Sequence, residues 1–299
     1  MEFDTGFDPS YGVGVPMGHD ILRLTANNPG PFTFYGTNTY LIGKNSLAIL
    51  DPGPDDDAHF EALTQAIGDR PVSHILISHT HRDHSPMAAR LQSVTGAPVL
   101  AEGPHRPARP LRLGEINPLD ASADYDLKID RLLADGDIIE GDGWSLEAVF
   151  TPGHAANHLA FGLRGSSLLF SADHVMGWAT SIVAPPDGAM SDYMASLDKL
   201  LARDDALYLP GHGGPVTQPA SFVRGLKAHR KMRESAVLER IRSGDRSIGD
   251  MVKAIYRDTD PRLRDAAALS VLAHLEDLTA RGQVIAERGV ALDAVYTPA

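Results

Sequence analysis

The chain has no cysteine. That excludes disulfide bridges, thiolate metal ligands and a cysteine nucleophile together. It also lacks any apolar run approaching the roughly 20 residues a membrane-spanning helix needs. The opening Met1-Glu2-Phe3-Asp4 carries neither the basic nor the apolar region of a secretory signal, so the expected compartment is the cytoplasm. Positive charge is scarce. Lys and Arg number 27 against 39 Asp and Glu, and the net charge of −12 repels polyanions at long range. What remains is a 299-residue chain with 43% hydrophobic residues, enough for one large or two ordinary domains with a core.

Against that background one stretch stands out: Ser78 to Ser85 reads S-H-T-H-R-D-H-S and holds His79, His81, Asp83 and His84. An apolar run led by Pro71-Val72 and ending at Ser78 precedes it and reads as a buried strand. Pro86 follows in a position suited to the first turn of a helix, with Ser85 as its expected N-cap. The loop therefore joins a core strand to a helix, where α/β folds place chemistry. Imidazole and carboxylate are the ligands zinc-like cations take. In extended chain His79 and His81 point the same way, because side chains two apart share a face. Asp83 and His84 fall past that pair and can serve a second ion. Three further candidates stand at turns or strand ends: His154 in T-P-G-H, Asp173 after Leu168-Leu169-Phe170, and His212 in P-G-H-G-G after Ala206-Leu207-Tyr208-Leu209. Each alone is an ordinary turn or cap signal. In this order they form one ligand set.

The sequence of H-x-H-x-D-H, T-P-G-H, a strand-end Asp and P-G-H-G resembles the metallo-β-lactamase superfamily over about the first 215 residues. The resemblance implies an α/β fold, an αββα sandwich with two divalent cations, zinc first, in a cleft at one edge. It assigns His79, His81 and His154 to one cation and Asp83, His84 and His212 to the other, with Asp173 bridging. Asp83 and Asp173 would be the catalytic carboxylates, and Asp51, in the turn D-P-G-P, would either lie beneath the ligand loop or be a plain turn aspartate. A hydroxide shared by the two cations would attack a carbonyl or phosphoryl centre.

Strands are expected at Ile21–Leu24, Asn38–Ile42 and Leu47–Leu50, the last two as a hairpin, and helices at Asp55–Ile67, Met87–Val94 and Asp192–Ala202. Residues 1–18 read as an irregular arm; Gly12, Gly14 and Gly18 make no nucleotide fingerprint because no strand precedes them. Residues 103–125 hold four prolines and Arg106, Arg109 and Arg112, and are expected either to face substrate as a cationic loop or to be a solvated excursion. Residues 174–190 are expected to border the cleft, with His174 and Trp178 as possible substrate contacts and core packing as the default for Trp178.

The charge changes near residue 219: residues 1–219 hold 13 Lys and Arg against 28 Asp and Glu, residues 220–299 hold 14 against 11. A second domain is therefore placed at 219–299, after a catalytic domain at 1–218. Helices at Ser221–Arg242, Ile248–Tyr256 and Ala266–Ala280, then a hairpin of Gly282–Ile285 with Gly289–Leu292, suggest a winged-helix module. His229-Arg230, Arg233-Glu234 and Leu238 resemble the corresponding helix of the superfamily branch with such a tail. Its best-known member is an endoribonuclease of single-stranded RNA, and the first expectation is a phosphodiesterase on such RNA. The alternative is a thioesterase resembling glyoxalase II, with lactam hydrolysis at most a side activity. Purely non-enzymatic binding of nucleic acid or a partner by the tail is the third and weakest reading. A small molecule or single-stranded RNA is the expected partner, no membrane is expected, and a dimer is allowed.

Overall fold

The computed structural model describes residues 2–257, 260 and 263–299. Its first sheet runs in chain order. β1 (Val15–Gly18), β2 (Ile21–Thr25), β3 (Asn38–Ile42) and β4 (Leu47–Leu50) form an antiparallel meander. Helix α1 (Asp57–Ile67) then carries the chain to β5 (Val72–Leu76), parallel to β4. Helix α2 (Met87–Thr95) leads to β6 (Val99–Ala101), and β7 (Arg131–Leu132) closes the sheet, both pairings parallel. The second sheet holds β8 (Ile138–Gly141), β9 (Trp144–Phe150), β10 (Leu159–Leu163) and β11 (Leu168–Ala172), all antiparallel. Helix α3 (Met190–Leu201) returns the chain to β12 (Leu207–Pro210), parallel to β11 at the edge.

The two sheets face each other through Tyr40, Ile42, Leu76 and Leu100 on one side and Leu146, Phe161, Phe170 and Leu209 on the other. Alternate residues of the same strands point outward: Leu41, Ile49 and Ile75 pack under α1 and α2, while Leu169 packs under α3. Strands buried on both faces have no polar alternation, which is why they read as unbroken apolar runs. The layers are helix, sheet, sheet, helix, as the sandwich expectation required.

Helix α4 (Pro219–Arg242) packs Val223 and Leu226 against the second sheet's outer face and Val237 and Ile241 into a separate core. That core is completed by α5 (Ile248–Ile255), α6 (Arg264–Ala280) and a hairpin of β13 (Val284–Ala286) with β14 (Tyr296–Pro298). This is the winged-helix arrangement, with one correction. Gly289–Leu292 does not pair with β13; Ala286 pairs with Tyr296 instead. Arg288 and Gly289 take positive φ and turn the chain away, and Tyr296 Oη holds the excursion by accepting from the Ala291 N–H and donating to its carbonyl. Two smaller expectations also change. The N-terminal arm ends in an edge strand, β1, and Ser85 does not cap α2: its hydroxyl donates to Asp124 Oδ2 at 2.6 Å. Among the described residues no helix is long and apolar enough to cross a membrane.

The proline-rich segment 103–125 is solvated over much of its length, with Leu113 and Ile116 exposed, but it is not a free cationic loop. Arg109 and Arg112 both donate to Glu276 of α6, Arg109 also to Glu115, and Arg112 to the Val290 carbonyl. Their charge is spent in tying the sandwich to the C-terminal helices.

His274 of α6 is buried and neither ring nitrogen has a partner among the described residues. Burial first, then the charges of Arg230 and neighbouring groups, push its pKa down to about 3. A depressed base costs stability in acid: the unfolded chain takes its proton near pH 6.5, the folded one only much lower. His274→Leu is therefore expected to gain on the wild type as pH falls from 6.5 to 4.5, by up to about 1.4 kcal/mol per pH unit. Urea unfolding of both chains at several pH values measures this; a difference independent of pH would contradict it.

Candidate metal centre

Asp51 closes β4 with a positive φ of 49° and turns its carboxylate back under the ligand loop. Its Oδ1 accepts from the Ser78 N–H at 2.7 Å, and its Oδ2 accepts from the Ser78 hydroxyl at 2.6 Å and from His84 Nδ1 at 3.0 Å. One carboxylate thus holds both ends of the histidine loop. Backbone bonds from His84 and Ser85 to the His81 carbonyl, and from Gly53 to the His84 carbonyl, tighten the turn between them.

The hydrogen bonds behind each ring decide which nitrogen faces inward. The Ser78 hydroxyl donates to Asp51, so its lone pair receives His79 Nδ1–H at 2.9 Å. His154 Nδ1 donates to the Ile182 carbonyl at 2.7 Å, and His212 Nδ1 to the Gly36 carbonyl at 3.1 Å. With His84 Nδ1 bound to Asp51, four Nε2 lone pairs point at one space. His81 enters it with Nδ1, 3.0 Å from His79 Nε2 and 3.1 Å from His154 Nε2.

A second trio adjoins the first. His84 Nε2, His212 Nε2 and Asp83 Oδ2 lie 3.2 to 3.3 Å from one another. Asp173, at the end of β11, lies between the trios: Oδ2 is 3.2 Å from His212 Nε2 and 3.7 Å from His154 Nε2, and Oδ1 is 3.5 Å from His84 Nε2. All seven predicted residues are therefore brought together, six of them buried and Asp83 part-exposed at the rim. His79, His81 and His154 form one group whose donor atoms lie within 4.8 Å of one another, and Asp83, His84 and His212 form another.

This donor set fits cations. Imidazole lone pairs that face each other at 3 Å repel unless positive charge sits among them, and among the described residues Asp173 Oδ1 has no hydrogen-bond partner although buried. Burial keeps His79, His81 and His154 neutral, with His81 pushed down to about 3, so their lone pairs stay available. In the second trio burial also opposes charge, but Asp173 and Asp83 override it and raise His212 to about 10 and His84 well above its ordinary value. Burial would raise the two carboxylates; these histidines hold both well below the usual range. The backbone leaves the space open as well: a Cβ on Gly211 would meet Asp173 Oδ1 at 2.3 Å, and one on Gly153 would meet the Tyr193 backbone at 2.3 Å.

Some contributors were not read from sequence. Thr37 donates to Asp83 Oδ2 at 3.3 Å. His158 accepts the Asp173 N–H on Nε2 at 3.3 Å while Nδ1 bonds Thr151 Oγ1 at 2.9 Å, so it seats Asp173. The spacing of His158 four residues after His154 was its only signal. His174, an expected substrate contact, is fully buried against Tyr193 and lies behind the cluster, because the chain turns inward directly after Asp173. Trp178 does reach the cleft, stacked on Phe34 at 4.6 Å. The segment that follows it, to Val183, borders the cleft as expected.

The cluster opens into a cavity of about 610 Å³. His81, Asp83, His154, Asp173 and His212 line it. Phe32, Met176, Trp178, Ile182 and Val183 give it apolar walls, and α4 and α6 complete it from the C-terminal side.

Comparison with known proteins agrees with this geometry. The profile of the metallo-beta-lactamase superfamily matches residues 32–212, and that of the beta-lactamase associated winged helix domain matches residues 247–291. A beta-lactamase-like protein 2 homolog of Drosophila melanogaster is 29% identical over 274 residues, 88% of this chain and 89% of its own. An atrochrysone carboxyl ACP thioesterase of Cryptosporiopsis sp. is 30% identical over 239 residues, 76% of this chain and 66% of its own. The crystal structure of a beta-lactamase domain protein from Burkholderia ambifaria superposes with a TM-score of 0.81 at 22% identity, covering 98% of this chain and 96% of that one. With the superfamily profile spanning more than half its length and the winged-helix profile following, the chain belongs to the metallo-β-lactamase superfamily of hydrolases.

Proposed function

We propose that the chain hydrolyses an ester or thioester of a compact, largely apolar substrate at a two-cation centre. The observation that carries this reading is the cavity: the His–Asp cluster lines it together with the hydrophobic Phe32, Met176, Trp178, Ile182 and Val183. Such a chamber suits an acyl group better than a nucleic-acid strand. In this reading residues 1–218 supply the centre and residues 219–299 close the chamber. His79, His81 and His154 would hold one divalent cation; Asp83, His84 and His212 the other; Asp173 would touch both. Zinc is the first choice for a set of nitrogen and oxygen donors without sulfur. Cations held there would lower the pKa of water and polarise the oxygen on which charge develops.

The side chains supply the rest. Asp173 stays ionised and keeps a free oxygen, so it can accept a proton-bearing group and orient it toward the attacked carbon. Asp83 also stays ionised and stands at the rim, where it can receive a proton on its way to solvent. The apolar walls exclude competing water and strengthen each charge interaction inside.

The ribonuclease expectation rested on Asp173, the basic α4 and the winged-helix tail, and two of the seven Lys and Arg of that helix are paired within the protein. Lys227 pairs with Asp198, Arg240 pairs with Asp245, and Arg230 is buried. That weakens the case for a polyanion, together with the net charge of −12.

Two outcomes test the proposal. Asp51→Asn keeps the shape but weakens the acceptor that aligns Ser78 and His84, so zinc affinity is expected to fall about 10- to 100-fold, read by competition with a chromophoric chelator. The zinc-reconstituted chain, offered an aliphatic thioester, a single-stranded RNA and a chromogenic cephalosporin, is expected to turn over the thioester fastest and to lose that activity in Asp173→Ala. RNA cleavage lost in the same variant, without thioester turnover, would return the assignment to a nuclease.

A further inference from the structure

One part of the cavity lining is chemically different from its apolar walls. Arg230 and Arg233, one turn apart on α4, both line it. Among the described residues neither has a carboxylate partner. Glu234, next in sequence to Arg233, gives its carboxylate to Arg281. Arg230 is 4% exposed, donates to the Ser181 carbonyl, and has Ser270 Oγ at 3.5 Å. Arg233 donates to the Ile255 carbonyl at 3.2 Å and lies over the Tyr256 ring. Among the described residues the Nε of each is buried without an acceptor. Uncompensated guanidinium charge away from bulk water is costly unless something negative joins it. The field is strong enough to be felt nearby: burial, then Arg230 and Arg233, hold His229 down at about 4.

We propose that Arg230 and Arg233 form an anion subsite, which takes a carboxylate or phosphate at the far end of a substrate whose scissile bond lies at the His–Asp cluster. This deepens the hydrolase reading and rests on it for the position of that bond. The cluster and the arginine pair are joined by a single peptide: His154 Nδ1 donates to the Ile182 carbonyl, and Arg230 donates to the carbonyl of Ser181 just before it. That places the anion on the order of 10 Å from the reacting carbon, a span of a few residues of extended chain or a medium acyl chain. Phe32, Trp178 and Val183 along the cavity provide the apolar stretch between. A guanidinium pair of this kind recognises a planar carboxylate or a phosphate through paired N–H donors.

Binding without turnover tests the proposal. The full zinc-reconstituted chain is titrated calorimetrically with straight-chain monocarboxylates of six to ten carbons, with α,ω-dicarboxylates of the same lengths, and with the matching ω-phosphonocarboxylates. Every probe offers one carboxylate to the cluster, and the probes differ only at the far end. At one or more lengths a dianion is expected to bind about tenfold or more tightly than its monoanion. That advantage is expected to vanish in Arg233→Met and to survive in large part in Arg233→Lys, which retains the charge. A preference for the dicarboxylate or for the phosphonate names the natural group, and either supports the subsite. Equal affinity of monoanions and dianions at every length, or an advantage that persists in Arg233→Met, overturns it. A chain that shows the preference yet hydrolyses no ester leaves the subsite standing and removes the hydrolase reading. An active esterase with no preference does the reverse.

Discussion

The carboxylate of Asp51 governs the geometry of the centre. It takes hydrogen bonds from the backbone and hydroxyl of Ser78 and from His84, six residues further on, and so converts a mobile S-H-T-H-R-D-H segment into one turn. Its reach extends further through the Ser78 hydroxyl, which fixes the tautomer of His79. The same device recurs at each distant ligand: a main-chain carbonyl accepts the Nδ1–H of His154 and of His212 and leaves Nε2 facing inward. The acceptors behind the rings, rather than the rings themselves, choose the donor atoms, and such partners orient the ligands of metal sites in general.

From that point the sandwich explains the rest. Six of the seven cluster residues stand just beyond a strand end or in the turn after it: three in the turn after β5, with His154, Asp173 and His212 after β9, β11 and β12. The seventh, His84, closes the β5 turn. Two sheets that meet along one edge bring these ends to a common point. Asn38 of β3 fastens the edge, as its side chain donates to the carbonyls of Pro210 and Gly213 across the gap. Helix α4 then spans both cores and brings its arginines over the opening, while Glu276 draws the 103–125 segment against α6. The chamber is a product of the whole chain, because its cluster belongs to the sandwich and its far wall to the C-terminal helices.

Much of this was legible in the sequence where the cause is local. Strands covered on both faces are unbroken apolar runs, so Asn38–Ile42 and Leu47–Leu50 were readable to the residue. The seven cluster residues were readable because glycine and proline beside several of them announce the turns that bring them together. What escaped depends on partners far along the chain. Ser85 has the composition of an N-cap, yet its hydroxyl goes to Asp124, 39 positions away. Arg109 and Arg112 have the look of a substrate-facing pair, but Glu276 neutralises them from more than 160 positions away. The second strand of the hairpin was misplaced because Tyr296–Pro298 is short and ends in a proline, whereas Gly289–Leu292 has the better strand composition. His174 reads as a substrate contact beside Asp173, and only the inward turn of the chain sends it behind the cluster.

The central claim is that the apposed nitrogens and carboxylates are a shell for two cations. Metal content after complete removal and reconstitution with excess zinc, measured by mass spectrometry on the gel-filtered chain, tests it most directly. About two ions per chain are expected, with a sharp loss in Gly211→Ala, whose added methyl would press on Asp173 and His84. A reconstituted chain that retains no zinc, or only one ion unaffected by that substitution, would contradict it.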